Sequence, residues 1–201
     1  MFFRLPTDVQ GMVLGWLEHD DQCLLIEECG WDTHSLLPHT RYIERNLWRY
    51  TPDIVGWVLR NMTKVDPSVY DNNAICCASG SGCVEIVKTL LADPRVDPAA
   101  QDNRAIWSAS CGGYVEVAEI LLADPRVDPA AQDNRAIQDA SCCGHTEMVR
   151  ILLADPRVDP GANNNWAMSS ATYHNHTGVV ELLQQHARMR ARASASASVN
   201  V

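Results

Sequence analysis

The sequence has no stretch approaching the roughly 18–20 consecutive apolar residues that a membrane-spanning helix needs, so no membrane segment is expected. Its opening, Met1-Phe2-Phe3-Arg4-Leu5-Pro6, lacks the basic stretch followed by a long apolar one that marks a secretory leader. The protein is therefore expected inside the cell, cytoplasmic, with the nucleus also open to it. Basic residues are scarce, and no basic stripe occurs before the end of the chain. A formal net charge of -9 opposes binding to nucleic acid, whose affinity comes largely from Lys and Arg displacing the counterions of phosphates. No nucleophile motif, glycine-rich phosphate loop or paired-carboxylate arrangement is present, so neither an enzyme nor a cofactor is expected. Gly80-Ser81-Gly82 matches the helix-turn position of later repeats and is not a phosphate cradle.

Cysteine, by contrast, is plentiful, with 8 in the chain. With no leader and enough length for a core, these read as reduced thiols, not as a disulfide framework. The adjacent pairs Cys76-Cys77 and Cys142-Cys143 are poorly placed to bridge internally, because neighbouring residues rarely meet disulfide geometry. The 201 residues suffice for one domain and an appendage, and an apolar fraction of 46% is ordinary for a globular chain.

The dominant signal is internal repetition. Val-Asp-Pro occurs at Val65, Val96, Val127 and Val158, each 31 residues after the last, and Leu90–Ile106 recurs unchanged as Leu121–Ile137. Each unit parses into two helices. Asn103 can cap a first helix through Ala105, Ile106 and Ala109 that ends near Gly112-Gly113. The second carries Val117-Ala118 and Leu121-Leu122 one turn apart, an apolar stripe on one side. Asp124-Pro125 ends it, since the residue before proline is pushed out of the helical region. The Asp-Pro-Arg-Val-Asp-Pro connector must be extended or turned, with its valine as apolar anchor, and aspartate beside proline suits local hydrogen bonding there. One hairpin cannot bury its stripe, so stability is expected from stacking. The ends fit this: Gln184 replaces the second leucine in the last unit, and Ile54–Val65 is a worn copy with Val55 and Leu59 in register and Arg60 in the leucine's place.

Ala140-Ser141-Cys142-Cys143-Gly144-His145-Thr146-Glu147-Met148-Val149-Arg150-Ile151-Leu152-Leu153 resembles the ankyrin pattern of Ala-Ala, Gly-His, an apolar pair and Leu-Leu. The resemblance covers roughly 66–186, with a weaker extension back to about residue 41. It implies an all-α ankyrin-repeat solenoid of stacked helix-turn-helix units with short connecting turns, acting by binding another protein. Two features depart from the family: the opening Thr-Pro-Leu-His becomes Arg104-Ala105-Ile106-Trp107, and the connector is about two residues shorter than the usual period of roughly 33 implies. Reduction of the family's β-hairpin fingers to plain turns is expected. The short variant is similar to arrays of amoebae and of large-genome viruses that infect them.

Residues 1–40 do not repeat. Leu5-Pro6-Thr7-Asp8-Val9 suits a helix start, Val13, Leu14 and Leu17 follow at helical spacing, and Asp20-Asp21 can cap a second short helix holding Leu24, Leu25 and Cys29. This resembles an F-box. The resemblance implies a docking surface for the Skp-type adaptor of a cullin ubiquitin ligase at Leu5, Pro6, Val9, Val13, Leu14 and Leu17. The alternative is a helix pair that only covers the open end of the stack. Glu27-Glu28 and Gly30 depart from the F-box pattern. The resulting order is a small F-box-like helical segment at 1–40, a degenerate capping repeat at 41–64, four clear repeats at 65–186 and a disordered tail at 187–201.

Cys142, Cys143, His145, His174 and His176 are the one local group of metal-ligand types, but their spacing lacks the Cys-x2-4-Cys or paired-histidine form of zinc sites, and no metal is expected. Differences between units concentrate on the first helix. Trp107, Ser108, Cys111 and Gly112 become Gln138, Asp139, Cys142 and Cys143, then Ser169, Ser170, Tyr173 and His174. Asn73, Arg104, Arg135 and Trp166 vary at its start. In the family these regions line the concave face that meets partners. The expected partner surface is Arg104, Trp107, Ser108, Arg135, Gln138, Asp139, Trp166, Tyr173 and His174, with Trp107 or Trp166 as half-buried packing the competing reading. A monomer is expected.

Overall fold

A computed structural model describes residues 44–61 and 65–199. Among these residues every regular element is a helix. A 3-10 turn at Leu47–Arg49 precedes α1 (Pro52–Asn61), and four hairpins follow: α2 (Val69–Gly80) with α3 (Val84–Leu91), α4 (Ala100–Gly112) with α5 (Val115–Leu122), α6 (Ala131–Cys143) with α7 (Thr146–Leu153), and α8 (Ala162–Tyr173) with α9 (Thr177–Val199). First helices pack on first helices, α2 on α4 on α6 on α8, and second helices on second helices, α3 on α5 on α7 on α9. The apolar stripe explains this layering. Val117, Ala118 and Leu121 are fully buried, as are Met148, Val149 and Leu152 at the same register one unit later. The connector valines Val65, Val96, Val127 and Val158 are buried as well, so each turn is nailed to one continuous core.

At the last hairpin Val179 and Leu183 stay buried, but some positions open. Met168, in the place of buried Ile106 and Ile137, is only partly buried, and so is Val180, in the place of Ala118 and Val149. Gln184 is exposed. Among the described residues no further hairpin covers them, which suits a polar side chain there. At the other end α1 packs on α3 and the 3-10 turn on α2, so this short pair stands where a preceding hairpin would. Val55 is fully buried, Leu59 is half-buried beside buried Val58, and Arg60 is exposed.

Each first helix begins with an unexpected conformation. Gln101, Asp102 and Asn103 all lie at positive φ (53, 54 and 61°), as do Tyr70–Asn72, Gln132–Asn134 and Asn163–Asn165. Right-handed geometry, already present at Ser68, Ala99, Ala130 and Gly161, resumes at Asn73, Arg104, Arg135 and Trp166. A left-handed residue with a Cβ costs roughly 1–2 kcal/mol, least for Asn and Asp, whose short polar side chains bond locally. Asn103 therefore does not cap its own helix as its position suggested. Its Oδ1 accepts the backbone N–H of Asp128 in the next unit at 2.7 Å. Asn72 does the same for Asp97 at 2.8 Å and Asn134 for Asp159 at 2.7 Å. At the head of the series the Asp66 N–H is met by the Glu44 carboxylate at 3.0 Å.

Two further rails run through the stack. Arg126 is clamped by Asp124, with Nη2–Oδ2 at 2.6 Å, and donates from Nη1 to the Val96 carbonyl one unit back at 2.9 Å. Arg95 and Arg157 repeat this with Asp93 and Val65, and with Asp155 and Val127. His145 Nε2 lies 2.9 Å from the Cys111 carbonyl and His176 Nε2 2.9 Å from that of Cys142. Among the described residues no connector residue forms a strand, and the described connectors are plain turns, held by aspartates such as Asp97, whose Oδ1 accepts the Ala99 N–H at 3.0 Å. The segment from 187 onward was expected to be disordered, but α9 continues through it to Val199. Ala and Arg are among the strongest helix formers, and that preference extends the last helix past the end of the stack.

Candidate functional site

The side chains that differ between units fall on the first helices, and packing sorts them into two groups. Trp107 belongs to the frame. Its indole is half-buried against the core, the Arg135 guanidinium of the next unit lies 4.3 Å from the ring centroid, and that of Arg104 lies 5.7 Å away. Its Nε1 is buried with no hydrogen-bond partner. These cation–π contacts, one of them from the next unit, hold the ring at the seam between two units. Ser108 is half-buried against the end of α2: a Cβ added at Gly80 would stand 3.3 Å from the Ser108 Cβ. Gln138, one unit on from Trp107, is a correction to the expected partner surface. It is buried, and its Nε2 donates to the Asp133 carbonyl at 2.5 Å, so it closes the left-handed turn of its own unit.

The other group faces solvent. Arg104 donates to Gln101 Oε1 at 2.8 Å, and Arg135 pairs with Asp139 one turn on, Nε–Oδ2 3.2 Å. These contacts are within the unit and exposed, so a partner's acidic group can compete for either guanidinium at small cost. Trp166 is 38% exposed and Tyr173 81% exposed. They are seven residues apart on α8, two turns along one face, so both rings present to the same side. The Tyr173 ring meets His174 edge-on at 5.0 Å between centroids, and His174 stacks on His176 at 5.9 Å. His174 is exposed. Of the exposed aromatic rings of the first helices, Trp166 and Tyr173 stand on the last unit and Tyr70, 51% exposed, on the first, with exposed Arg104 and Arg135 on the two units between.

The histidine rail explains the sharp turns between helices. Gly82, Gly113 and Gly144 have φ of +69, +71 and +76°, and the ring of Tyr114, His145 or His176 from the next unit lies on each. A Cβ at Gly113 would stand 2.7 Å from His145 Nδ1. In the last unit the position is Asn175, at φ 59°, with no later ring above it. Among the described residues no group of three or more His, Cys, Asp or Glu could hold a metal ion, and His145 and His176 are committed to backbone carbonyls. None of the described helices is long and apolar enough to cross a membrane. Leu5, Pro6, Val9, Val13, Leu14 and Leu17 lie outside the described residues.

The thiol group was visible in sequence only as scattered letters. Cys143 and Cys111, from neighbouring first helices, are both exposed, and desolvation, the largest cause, with the neighbouring Cys111, pushes the Cys143 thiol up to about 11. Cys76 is instead buried, which pushes its thiol up to about 12 and leaves it inert at neutral pH. No family model and no curated protein matches the chain.

Proposed function

We propose that the chain is an ankyrin-type repeat protein that binds a target protein through the exposed face of its first helices, without catalysing a reaction or holding a cofactor. The observation that carries this reading is the division of labour along the first helices. Buried and cross-unit positions repeat with little change, while exposed ones carry Arg104, Arg135, Trp166, Tyr173 and His174. Tryptophan, tyrosine and arginine are the residues most enriched at interface hot spots. With Trp107, Ser108 and Gln138 withdrawn into the frame, the face centres on the last two units and on Asp139, which neutralises Arg135.

The F-box-like segment at 1–40 supplies the consequence of binding: through Leu5, Pro6, Val9, Val13, Leu14 and Leu17 it docks the Skp-type adaptor of a cullin ubiquitin ligase, making the protein a substrate receptor. The alternative is a plain scaffold or decoy whose N-terminal segment only covers the stack. Titration of the full-length protein with purified Skp-type adaptor separates the two. Saturable binding that Pro6→Ala with Val9→Asp abolishes, at unchanged helicity, supports the receptor. No heat and no co-elution, or binding indifferent to those changes, leaves the scaffold.

A further inference from the structure

We propose that the target is anchored by an acidic segment whose carboxylates are received by Arg104 and Arg135 around Trp107, resting on the reading of the first helices as the binding face. The charge of that face is opposite in sign to that of the chain. The protein carries a formal net charge of -9. Yet from Asn73, Arg104, Arg135 and Trp166 onward, where the left-handed turns end, the first helices hold two guanidiniums, Arg104 and Arg135, and a single carboxylate, Asp139. Nearby carboxylates belong to other surfaces: Asp102 and Asp133 sit in the left-handed turns, and Glu116, Glu119 and Glu147 on the second helices. A locally positive strip on an acidic molecule is complementary to an acidic partner.

The two cations converge on one ring. The Arg135 guanidinium lies 4.3 Å from the Trp107 centroid and that of Arg104 5.7 Å from it, and the indole itself is packed against the core. A guanidinium held over an aromatic ring loses little freedom on binding and keeps in-plane N–H donors for an oxyanion. Donors are available on both. Among the described residues Arg104 engages only Nη1, on the neutral Gln101 Oε1 at 2.8 Å, which leaves Nε and Nη2. Arg135 gives Nε to Asp139 Oδ2 at 3.2 Å and Nη1 to Gln132 Oε1 at 3.4 Å, which leaves Nη2. Asp139, one turn along the same exposed helix face, thus competes with an incoming carboxylate for Arg135. Packed helices stand about 8–10 Å apart, which sets the separation the two carboxylates must bridge. In an extended segment residues i and i+2 share a face about 7 Å apart, and glutamate side chains reach the rest. Trp166 follows Arg135 at the same register one unit on and is 38% exposed, so it suits an apolar side chain at i+4.

The test titrates isotope-labelled full-length protein with the peptide acetyl-Glu-Ala-Glu-Ala-Leu-amide and follows the Trp107 indole N–H and the arginine Nε–H resonances. Trp107 Nε1 is buried without a partner, so it reports on the guanidiniums without touching the peptide. Saturable shifts at Trp107, Arg104 and Arg135 are expected, weakened by added sodium chloride and absent with the analogue that carries Gln for both Glu. Arg104→Gln and Arg135→Gln should each loosen binding about fivefold, and Asp139→Asn should tighten it about two- to threefold by releasing Arg135. Equal binding of the two peptides, no shift at all, or weaker binding by Asp139→Asn overturns the proposal. Shifts confined to Trp166 and Tyr173 overturn the acidic anchor while keeping the open face as the binding surface. Shifts on the second helices alone remove the reading of that face as well. The comparison of the two peptides on the wild-type chain decides the anchor even if a variant is unstable.

Discussion

Gly113 sits where two demands meet, and replacing it by alanine tests both. Its φ of +71° places it in the left-handed region, where an alanine costs roughly 1–2 kcal/mol. The new Cβ would also stand 2.7, 2.9 and 2.9 Å from Nδ1, Cε1 and Cγ of His145, all closer than real contacts allow. The ring must swing away, giving up its hydrogen bond to the Cys111 carbonyl, which contributes about 1 kcal/mol. Gly113→Ala should therefore destabilise by about 2–3 kcal/mol, read as a lower urea midpoint at unchanged slope. His145→Ala alone should cost about 1 kcal/mol through the same bond. In the double variant the clash has no ring to meet, so only the backbone term remains for the glycine, and the cycle should show a coupling of about 1 kcal/mol. Strict additivity would refute the ring-on-glycine contact. A neutral Gly113→Ala would refute the turn itself. Asn175 serves as the internal control: it already tolerates positive φ with no ring above it, so Asn175→Gly should stay within about 0.5 kcal/mol of the parent.

The asparagine rail predicts a positional contrast. Asn134→Gly keeps the left-handed conformation but removes the acceptor for the Asp159 N–H, so it should cost about 1 kcal/mol more than Asn165→Gly at the end of the rail, by urea titration of each. The Asp93, Asp124 and Asp155 carboxylates are held below the usual carboxylate range, first by hydrogen bonds from Arg95, Arg126 and Arg157. Their folded values lie under the unfolded value of about 3.9, so their stabilisation is complete above that pH and is lost as pH falls through the depressed values. The thermal midpoint should drop steeply below about pH 4, and Asp93→Asn, Asp124→Asn and Asp155→Asn together should flatten that drop; an unchanged profile would refute the clamp.

The helices were legible because burial imposes a period. Val117, Ala118 and Leu121 sit one turn apart in sequence and are fully buried in the fold, and the connector valines are anchors for the same reason. Asn103 was legible as a polar residue before a helix but not as a left-handed one. Its partner is the Asp128 N–H 25 residues away, and no local pattern distinguishes an asparagine that caps its own helix from one that reaches into the next. Trp107 is half-buried, as the competing reading had it, and Gln138 was misplaced on the open face for a related cause. Letters that differ between units suggest freedom from packing, yet the Arg135 that covers Trp107 belongs to the following unit, and Gln138 closes its own turn. The tail was read from its low-complexity composition, where the helix preference of alanine and arginine was the stronger influence.

The rails have a consequence for how such a molecule can change over generations. Each bond of the rails joins a side chain to a backbone group that recurs at the same place in each period, whether the Val96 carbonyl or the Asp128 N–H. Excising 104–134 would bring Asn103 directly before Arg135, and its amide would meet Asp159 in place of Asp128, with the asparagine rail kept. Array length is therefore a quantity that unequal recombination can reset in one step, lengthening or shortening the molecule by whole periods while its grammar of contacts stays intact. The unbroken identity of 90–106 with 121–137 is the trace such an event would leave.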